Sequence, residues 1–175
     1  GKLQKIISDL LDVSRIQTGK LTYTKEEFRL DKLVEEIIET LQDATKGQTI
    51  SLRKKTPIIV YADRFRIYQV VTNMITNAIK YSPETKEIVV EVKRLDGKAQ
   101  VSVKDTGIGI ARDQQKRIFE RLYQVGDTHV KTFPGFGMGL HISNEIIKRH
   151  KGAIWVESEK GKGSTFYFTL PLAKK

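Results

Sequence analysis

The sequence contains no cysteine, which excludes both a disulfide framework and metal sites built on thiolates. It also lacks long apolar runs: no stretch approaches the roughly 20 residues that a membrane-spanning helix needs, and no signal peptide is visible. These absences favour a cytoplasmic location, with no membrane contact within this stretch of chain. Because the first residues already follow a helical pattern, we expect the chain to be a fragment of a longer protein.

Basic residues exceed acidic ones, with 31 Lys and Arg against 21 Asp and Glu and a net charge of +10, yet they form no basic block. A basic excess often indicates a nucleic-acid or acidic-membrane partner. Here the basic side chains are interleaved with acidic ones along the whole chain, without a repeated basic-aromatic pattern. We therefore expect no nucleic-acid partner, and an acidic protein partner if the charge has a functional role.

At 175 residues, with 39% hydrophobic and 30% charged residues, the chain fits one soluble domain with a short appendage. The appendage is residues 1–21, where Leu3, Ile6, Leu10 and Val13 follow heptad spacing and predict an amphipathic helix. Such a helix is marginal alone and must pack against partner helices. Gly19 is the expected stop. Residues 22–30 form a linker or first strand, 31–172 the main domain, and 173–175 a basic tail.

The main domain is predicted to interleave helices with strands. We expect a helix capped by Asp31 and ending before Gly47, a central helix capped by Asp63 and closed by Pro83, and helices over 113–123 and 139–150. The predicted strands are 49–53, 58–61, 88–94, 99–104, 153–158 and 164–170. Hairpin turns between strands imply a mixed sheet, so the expected fold is a two-layer α/β sandwich with helices on one face.

The central helix has two contrasting faces. Apolar pairs recur once per turn at 70–71, 74–75 and 78–79 and predict a buried stripe. The other face carries a polar row: Asn73, Asn77, Lys80 and Tyr81. Asparagine oxygens beside a lysine and an aromatic ring suit a magnesium nucleotide, because Mg²⁺ takes oxygen ligands. The alternative is a solvated polar face with locally hydrogen-bonded asparagines.

A second candidate is Asp105, at the end of the predicted strand 99–104. Strand alternation carries its carboxylate onto the apolar face, which is costly unless the group is hydrogen-bonded. Glycines at 107 and 109 then let a ligand approach the backbone. A carboxylate there can accept a hydrogen bond from an exocyclic amine such as that of adenine. The alternative is an aspartate that closes a strand-to-loop turn.

A third candidate is the glycine-rich stretch 135–140, which opens a predicted helix. Backbone amides at a helix N-terminus bind phosphate. The spacing is not the dinucleotide-binding fingerprint, since Leu140 stands where its third glycine belongs. A flexible loop with a glycine hinge is the alternative.

Taken in order, these motifs resemble the catalytic ATP-binding domain of sensor histidine kinases, in the superfamily shared with DNA gyrase, heat-shock chaperones and mismatch-repair ATPases. Residues 73–81 resemble its N box, and 10–21 resemble the end of the second helix of the dimerisation and phosphoacceptor domain. The remaining motifs are the G1 box at 105–109, the F box at 118–121, the G2 box at 135–140 and the final glycine motif at 163–166. The resemblance implies a Bergerat-type fold that binds ATP and Mg²⁺.

The resemblance also implies residue roles. Asn77 would bind Mg²⁺, with Asn73 as a second polar contact, and Lys80 and Arg121 would act on the phosphoryl group. Asp105 would hold the adenine amine, and residues 122–136 would form a lid over ATP. The other expected ATP-binding residues are Tyr81, Gly107, Gly109, Ile110, Gly135, Gly137, Gly139, Leu140 and Thr165. Gln124 departs from the arginine common in the family.

Position 73 bears on the reaction, because related ATPases carry a glutamate there and a carboxamide cannot take a proton from water. Asn73 therefore favours phosphoryl transfer to a histidine outside this chain, for relay to a response-regulator aspartate. His129, His141 and His150 do not resemble the acceptor. The expected partners are the dimerisation helices of the full-length chain or a second subunit, and an acidic response regulator. An ATPase or ATP-dependent conformational module is the alternative, and nucleic-acid binding is supported by charge alone.

Overall fold

The computed structural model describes residues 2–43, 45, 47–83, 87–123 and 137–173. Within these ranges, a single 3₁₀ turn, Arg117–Phe119, is found besides the helices and strands. In chain order these elements are α1 (Lys2–Gln17), β1 (Glu26–Arg29), α2 (Leu30–Gln42), β2 (Thr49–Lys55), β3 (Ile59–Ala62), α3 (Arg64–Tyr81), β4 (Glu87–Leu95), β5 (Lys98–Asp105), α4 (Gly139–Arg149), β6 (Ile154–Glu159) and β7 (Gly163–Pro171).

The main sheet has the strand order β2-β4-β5-β7-β6. Strands β2 and β4 run parallel and the other neighbours antiparallel, so the sheet is mixed, as predicted. The inner face of the sheet carries alternating apolar residues such as Val90, Val101 and Phe168, which are fully buried. These residues join the apolar faces of α2, α3 and α4 in one core. The expected α/β sandwich of a mixed sheet with helices is confirmed.

A second, two-stranded sheet ties the segment after α1 to the domain. Strand β1 pairs antiparallel with β3, and Val60 of β3 bridges Leu172 near the end of β7. The backbone of Leu30 also donates to the carbonyl of Ile58. Residues 22–30 were expected to form a linker or a first strand, and the structure shows a paired strand over Glu26–Arg29.

Helix α3 forms as its sequence predicts. The Asp63 side chain caps it by accepting a hydrogen bond from the backbone of Arg66 at 3.0 Å. The helix ends at Tyr81, two residues before Pro83, and Val70, Val71 and Met74 are fully buried. The apolar stripe is thus the contact of α3 with the core.

The predicted cap of α2 is wrong. The helix begins at Leu30, so Asp31 lies inside its first turn rather than at the cap. There the buried carboxylate accepts two hydrogen bonds from Arg29, at 2.8 and 2.7 Å, and one from the backbone of Ile58 at 3.2 Å. The hydrogen bond from Arg29 lowers the pKa of Asp31. The carboxylate stabilises the junction of α2 with the strand region instead of the helix terminus.

The predicted helix over 113–123 is also wrong, because turns and the short 3₁₀ segment replace it. Apolar residues are confined to its second half, where Ile118 alone is buried, so an α-helix here would bury no continuous stripe. Leu122 has a φ of 60°, which is incompatible with a continuing right-handed helix.

Helix α1 packs against the domain through one side and exposes the other. Val13 is buried, and Asp12 accepts a 2.8 Å hydrogen bond from Arg66. Gly19, with a φ of 65°, follows the helix end as expected. Within the described residues, no helix is long and apolar enough to cross a bilayer. The exposed side carries four large apolar residues, each at least half exposed: Leu3, Ile7, Leu10 and Leu11.

Candidate functional site

Asp105 is a buried carboxylate at the end of β5, with 4% of its surface exposed. One of its oxygens accepts a hydrogen bond from the backbone of Gly107 at 2.8 Å. Burial raises the pKa of Asp105, while the backbone hydrogen bonds of Gly107 and Ser164 counteract that shift. No ion pair to Asp105 is found in the described part of the chain. The carboxylate is therefore held by amides and retains capacity to accept a hydrogen bond from a ligand.

The strand register decides which residue of β7 lies beside this carboxylate. Asp105 pairs with Ser164, whereas Lys104 pairs with Thr165. Because paired residues of antiparallel strands share a face, Ser164 lies on the face of Asp105 and Thr165 on the opposite face. The structure does not bring Thr165 to the expected pocket. Ser164 is the residue that the sequence analysis missed, although its spacing of two from the buried Phe166 could have indicated it.

The loop 106–110 lies against the end of α3 and the β6–β7 turn. The backbone of Ile108 donates to the carbonyl of Tyr81 at 3.2 Å. A Cβ at Gly107 would lie 2.2 Å from that same carbonyl oxygen. Gly109 has a φ of 64°, and a Cβ there would lie 2.0 Å from the carbonyl oxygen of Glu159. Close backbone contacts therefore require glycine at both positions, and Gly107 is the one that lies against the Asp105 carboxylate.

The polar row of α3 divides into two parts. Asn73 is buried and its Nδ2 donates to Ser143 Oγ of α4 at 3.1 Å. Asn77 is half-buried, and no hydrogen bond joins its side chain to any residue in the described ranges. Lys80 Nζ donates to the hydroxyl of Tyr81 at 2.9 Å and lies 4.4 Å from the centroid of its ring. Asn77 and Lys80 thus remain near the surface, whereas Asn73 links two helices.

The first residue of α4 is in direct contact with Asn73. A Cβ at Gly139 would lie 2.3 Å from Asn73 Oδ1, so only glycine allows this approach. Gly137 has a φ of 64° and its carbonyl accepts a 3.1 Å hydrogen bond from Leu122, while Leu140 packs on the core. Expected positions outside the described residues are Gly135, Gln124, His129 and the last two residues of the tail.

Arg121, Ile110 and His141 have surroundings that differ from those of Asp105 and Asn77. Arg121 is exposed in the turn after the 3₁₀ segment and has no ion pair with a described residue. Ile110 is half-buried, and its backbone donates to Ser158 Oγ at 2.7 Å. His141 Nδ1 lies 3.3 Å from the carbonyl of Phe119. No cluster of three His, Cys, Asp or Glu side chains that could bind a metal occurs in the residues the structure describes.

His150 is buried at the end of α4 and both of its ring nitrogens are bonded. Nδ1 donates to the carbonyl of Ile146 at 2.7 Å, and Nε2 accepts from the backbone of Asp63 at 3.0 Å. Tyr23 contacts the ring edge-on at a centroid distance of 5.3 Å. Burial lowers the pKa of His150. The imidazole therefore holds the start of α3, the end of α4 and the segment after α1 together.

Comparison with known proteins gives matches over most of the chain. A family described as "Histidine kinase-, DNA gyrase B-, and HSP90-like ATPase" matches residues 62–174. The adaptive-response sensory kinase SasA of Crocosphaera subtropica is 39% identical over 174 residues, covering 97% of this chain and 45% of that protein. The sensor histidine kinase WalK of Bacillus subtilis is 33% identical over 175 residues, covering 97% of this chain and 28% of that protein. The chain spans less than half the length of these relatives.

Two solved structures have similar folds. Full-length ShkA in complex with AMPPNP superposes with a TM-score of 0.86 at 27% identity, over 99% of this chain and 36% of that chain. The catalytic domain of the histidine kinase ThkA gives a TM-score of 0.70 at 27% identity, over 85% of this chain and 96% of that chain. The similarity to ShkA thus includes α1, while the ThkA domain is matched over nearly all of its own length.

Proposed function

The chain belongs to the family of histidine kinase-, DNA gyrase B- and HSP90-like ATPases, and we propose that it transfers the γ-phosphoryl group of ATP to a histidine outside this chain. The resemblance to sensor histidine kinases that the motifs indicated is confirmed by the family and its relatives. The phosphoryl group would then pass to an aspartate of a response regulator. The observation that supports this most is the buried, amide-held carboxylate of Asp105 at the end of β5.

Asp105 and Ser164 would together select the base. A carboxylate accepts a hydrogen bond from the exocyclic amine of adenine, whereas guanine presents a carbonyl oxygen at the equivalent position and is repelled. Ser164 lies on the same face of the sheet and adds a hydroxyl oxygen that can accept a hydrogen bond. Gly107 and Gly109 allow a planar base to approach the backbone closely. This arrangement favours ATP over GTP.

Asn77 and Lys80 are the residues that would face Mg²⁺ and the phosphates. The Asn77 carboxamide oxygen has no partner in the described ranges and is an oxygen ligand of the kind that Mg²⁺ prefers. Asn73 is less suited, because its nitrogen is bonded to Ser143 and its oxygen lies against Gly139. Bound Mg²⁺ supplies charge neutralisation for the phosphates. Lys80, whose Nζ is bonded only to the hydroxyl of the neighbouring Tyr81 in the described ranges, would serve the same purpose, and the exposed Arg121 would approach the transferred group.

Transfer to a protein acceptor is favoured over hydrolysis because Asn73 cannot act as a general base. ATP hydrolysis remains the second candidate function on one observation: Asp9 of α1 lines a small pocket beside Asn73, together with Gln69 and Ser143. A carboxylate in this position could accept a proton from water. ATP turnover that disappears in Asp9→Asn would support hydrolysis.

The exposed apolar side of α1 supports a helical partner. Leu3, Ile7 and Leu10 lie one turn apart along the helix and are each at least half exposed. We propose that this side packs against a dimerisation helix of the full-length chain or of a second subunit. The net charge of +10 supports an acidic response regulator as the further partner.

Calorimetric titration of the chain with ATP and GTP, with and without Mg²⁺, tests the nucleotide part of this proposal. We expect one ATP per chain, tighter binding when Mg²⁺ is present, and weaker binding of GTP. Equal affinity for the two nucleotides would contradict the proposed role of Asp105.

A further inference from the structure

The Gln115 side chain connects the loop after β5 to strand β6. Its Nε2 donates to the carbonyl of Ile110 at 3.1 Å and to the carbonyl of Ser158 at 2.7 Å. Ser158 Oγ in turn accepts a hydrogen bond from the backbone of Ile110 at 2.7 Å. Both backbone polar groups of Ile110 are thus bonded within a three-residue clamp, formed by Ile110, Gln115 and Ser158.

The clamp is continuous with the base pocket. Ser158 Oγ donates to the carbonyl of Gly163 at 2.8 Å and lies 2.9 Å from Ser164 Oγ. Because a hydroxyl has one proton, the Ser158 hydroxyl that bonds Gly163 can only accept from Ser164. Ser164 then directs its proton at Ser158 and keeps its oxygen as an acceptor for a ligand. The clamp thereby determines the hydrogen-bonding role of the hydroxyl beside Asp105.

We propose that Gln115 is a positioning residue for base recognition, which holds the loop 106–110 and Ser164 in the geometry that discriminates adenine from guanine. The inference rests on the proposed function, since it concerns the same pocket. Two backbone hydrogen bonds also hold this loop: Gly161 donates to the carbonyl of Ile108 at 2.7 Å, and Ile108 donates to the carbonyl of Tyr81. Gln115, two residues before the 3₁₀ segment, adds a side-chain hydrogen bond to Ile110, the last residue of the loop.

The amide of glutamine fits this position chemically. Its NH₂ group has two protons, which match the two carbonyl acceptors of Ile110 and Ser158. Leucine has a similar size but no donor, so it would leave both carbonyls without this partner. Glutamate would direct a negative charge at two carbonyl oxygens unless its carboxyl group were protonated. The two substitutions therefore separate hydrogen bonding from packing.

The test compares Gln115→Leu with Gln114→Leu, a matched change at the neighbouring glutamine, for which no side-chain hydrogen bond is found among the described residues. ATP and GTP affinities are measured by calorimetry, and exchange of the amides of residues 107–110 by hydrogen–deuterium exchange without nucleotide. For Gln115→Leu we expect the ATP dissociation constant to rise about tenfold, from two lost hydrogen bonds. The GTP dissociation constant should rise less, and the loop amides should exchange faster. Gln114→Leu should match the unsubstituted chain.

A second variant, Gln115→Glu, supplies a readout that a packing role would not change. Compared with the unsubstituted chain at each pH, its ATP affinity should be weakest at pH 8. The affinity should recover towards pH 5, where the protonated carboxyl group of Glu can donate a hydrogen bond. One outcome is that the unsubstituted chain binds ATP while both Gln115 variants show the same ATP-to-GTP preference and the same pH dependence of ATP affinity as that chain. This result would overturn the inference about Gln115 but leave the proposed function intact. If the unsubstituted chain binds no ATP, the proposed function fails and the inference fails with it.

Discussion

Asp105 and Ser164 lie opposite each other on neighbouring strands β5 and β7, so a buried carboxylate and a buried hydroxyl share one face of the sheet. The loop with Gly107 and Gly109 begins directly after Asp105. This pairing places two buried polar groups side by side at the edge of an apolar core. It leads to predictions that depend on which face of the sheet a residue occupies.

Asp105→Asn should weaken ATP binding by about 1.5–3 kcal/mol, because a hydrogen bond to a charged acceptor is lost. GTP binding should change much less, since guanine offers no amine at that position. Calorimetry on the folded variant measures both. Unchanged ATP affinity would remove Asp105 from the site.

Ser164→Ala should weaken ATP binding by about 0.5–1.5 kcal/mol, the usual contribution of one neutral hydrogen bond. Thr165→Ala is the matched control, because Thr165 is the next residue of β7 but points to the opposite face. Its ATP affinity should stay unchanged. A larger loss in Thr165→Ala than in Ser164→Ala would show that the threonine, as the family resemblance implied, is the pocket residue.

Asn77→Asp should change the Mg²⁺ dependence of ATP binding, because it alters the charge of the expected metal ligand. Val71→Ala, on the buried stripe of the same helix, should instead lower the free energy of unfolding by about 1–3 kcal/mol without altering Mg²⁺ dependence. Titrations at several Mg²⁺ concentrations and urea unfolding measure the two effects. Identical behaviour of both variants would contradict the two-faced description of α3.

His150 should make the chain less stable in mild acid. Burial lowers its pKa in the folded state from the ordinary value of 6.5, and its Nε2 must accept the Asp63 amide proton. Lys25 opposes protonation and Asp63 favours it. The stabilisation that the neutral His150 side chain gives to the folded state is therefore complete above pH 6.5. It is lost as the pH falls below 6.5, because the unfolded chain then binds a proton at this histidine more readily than the folded chain does.

The measurement for His150 is the free energy of unfolding in urea between pH 7.5 and pH 5. His150→Gln should be less stable at neutral pH but should show a flatter decline towards pH 5. A variant with the same pH slope as the unsubstituted chain would exclude His150 as the titrating group.

Local patterns were sufficient to predict much of the fold. Helix α3 was predictable because its cap Asp63, its apolar stripe and its closing Pro83 are adjacent in sequence. The position of Asp31 inside the helix was not predictable from local sequence, because one of its partners, the backbone of Ile58 just before β3, lies 27 positions away. Residues 113–123 have the composition of a helix but not a stripe that could be buried.

The candidate site shows the same division. Asp105 was predictable from strand alternation, and the same alternation, counted back from Phe166, would have selected Ser164 over Thr165. The bond from Asn73 to Ser143 joins residues 70 positions apart, so no local signal reveals it. Gln115 lies in a polar turn whose sequence gives no indication that its amide bonds two carbonyls.

Phosphoryl transfer from γ-labelled ATP, followed on gels run under alkaline conditions, is the decisive test of the proposed function. The chain is incubated with labelled ATP and Mg²⁺, alone and with a separate protein that carries a helical hairpin with an acceptor histidine. We expect no acid-labile label on the chain itself and weak labelling of the hairpin protein, because the high effective concentration of a covalent tether is missing. Stoichiometric labelling of the chain alone would contradict the account, since His129, His141 or His150 would then be the acceptor.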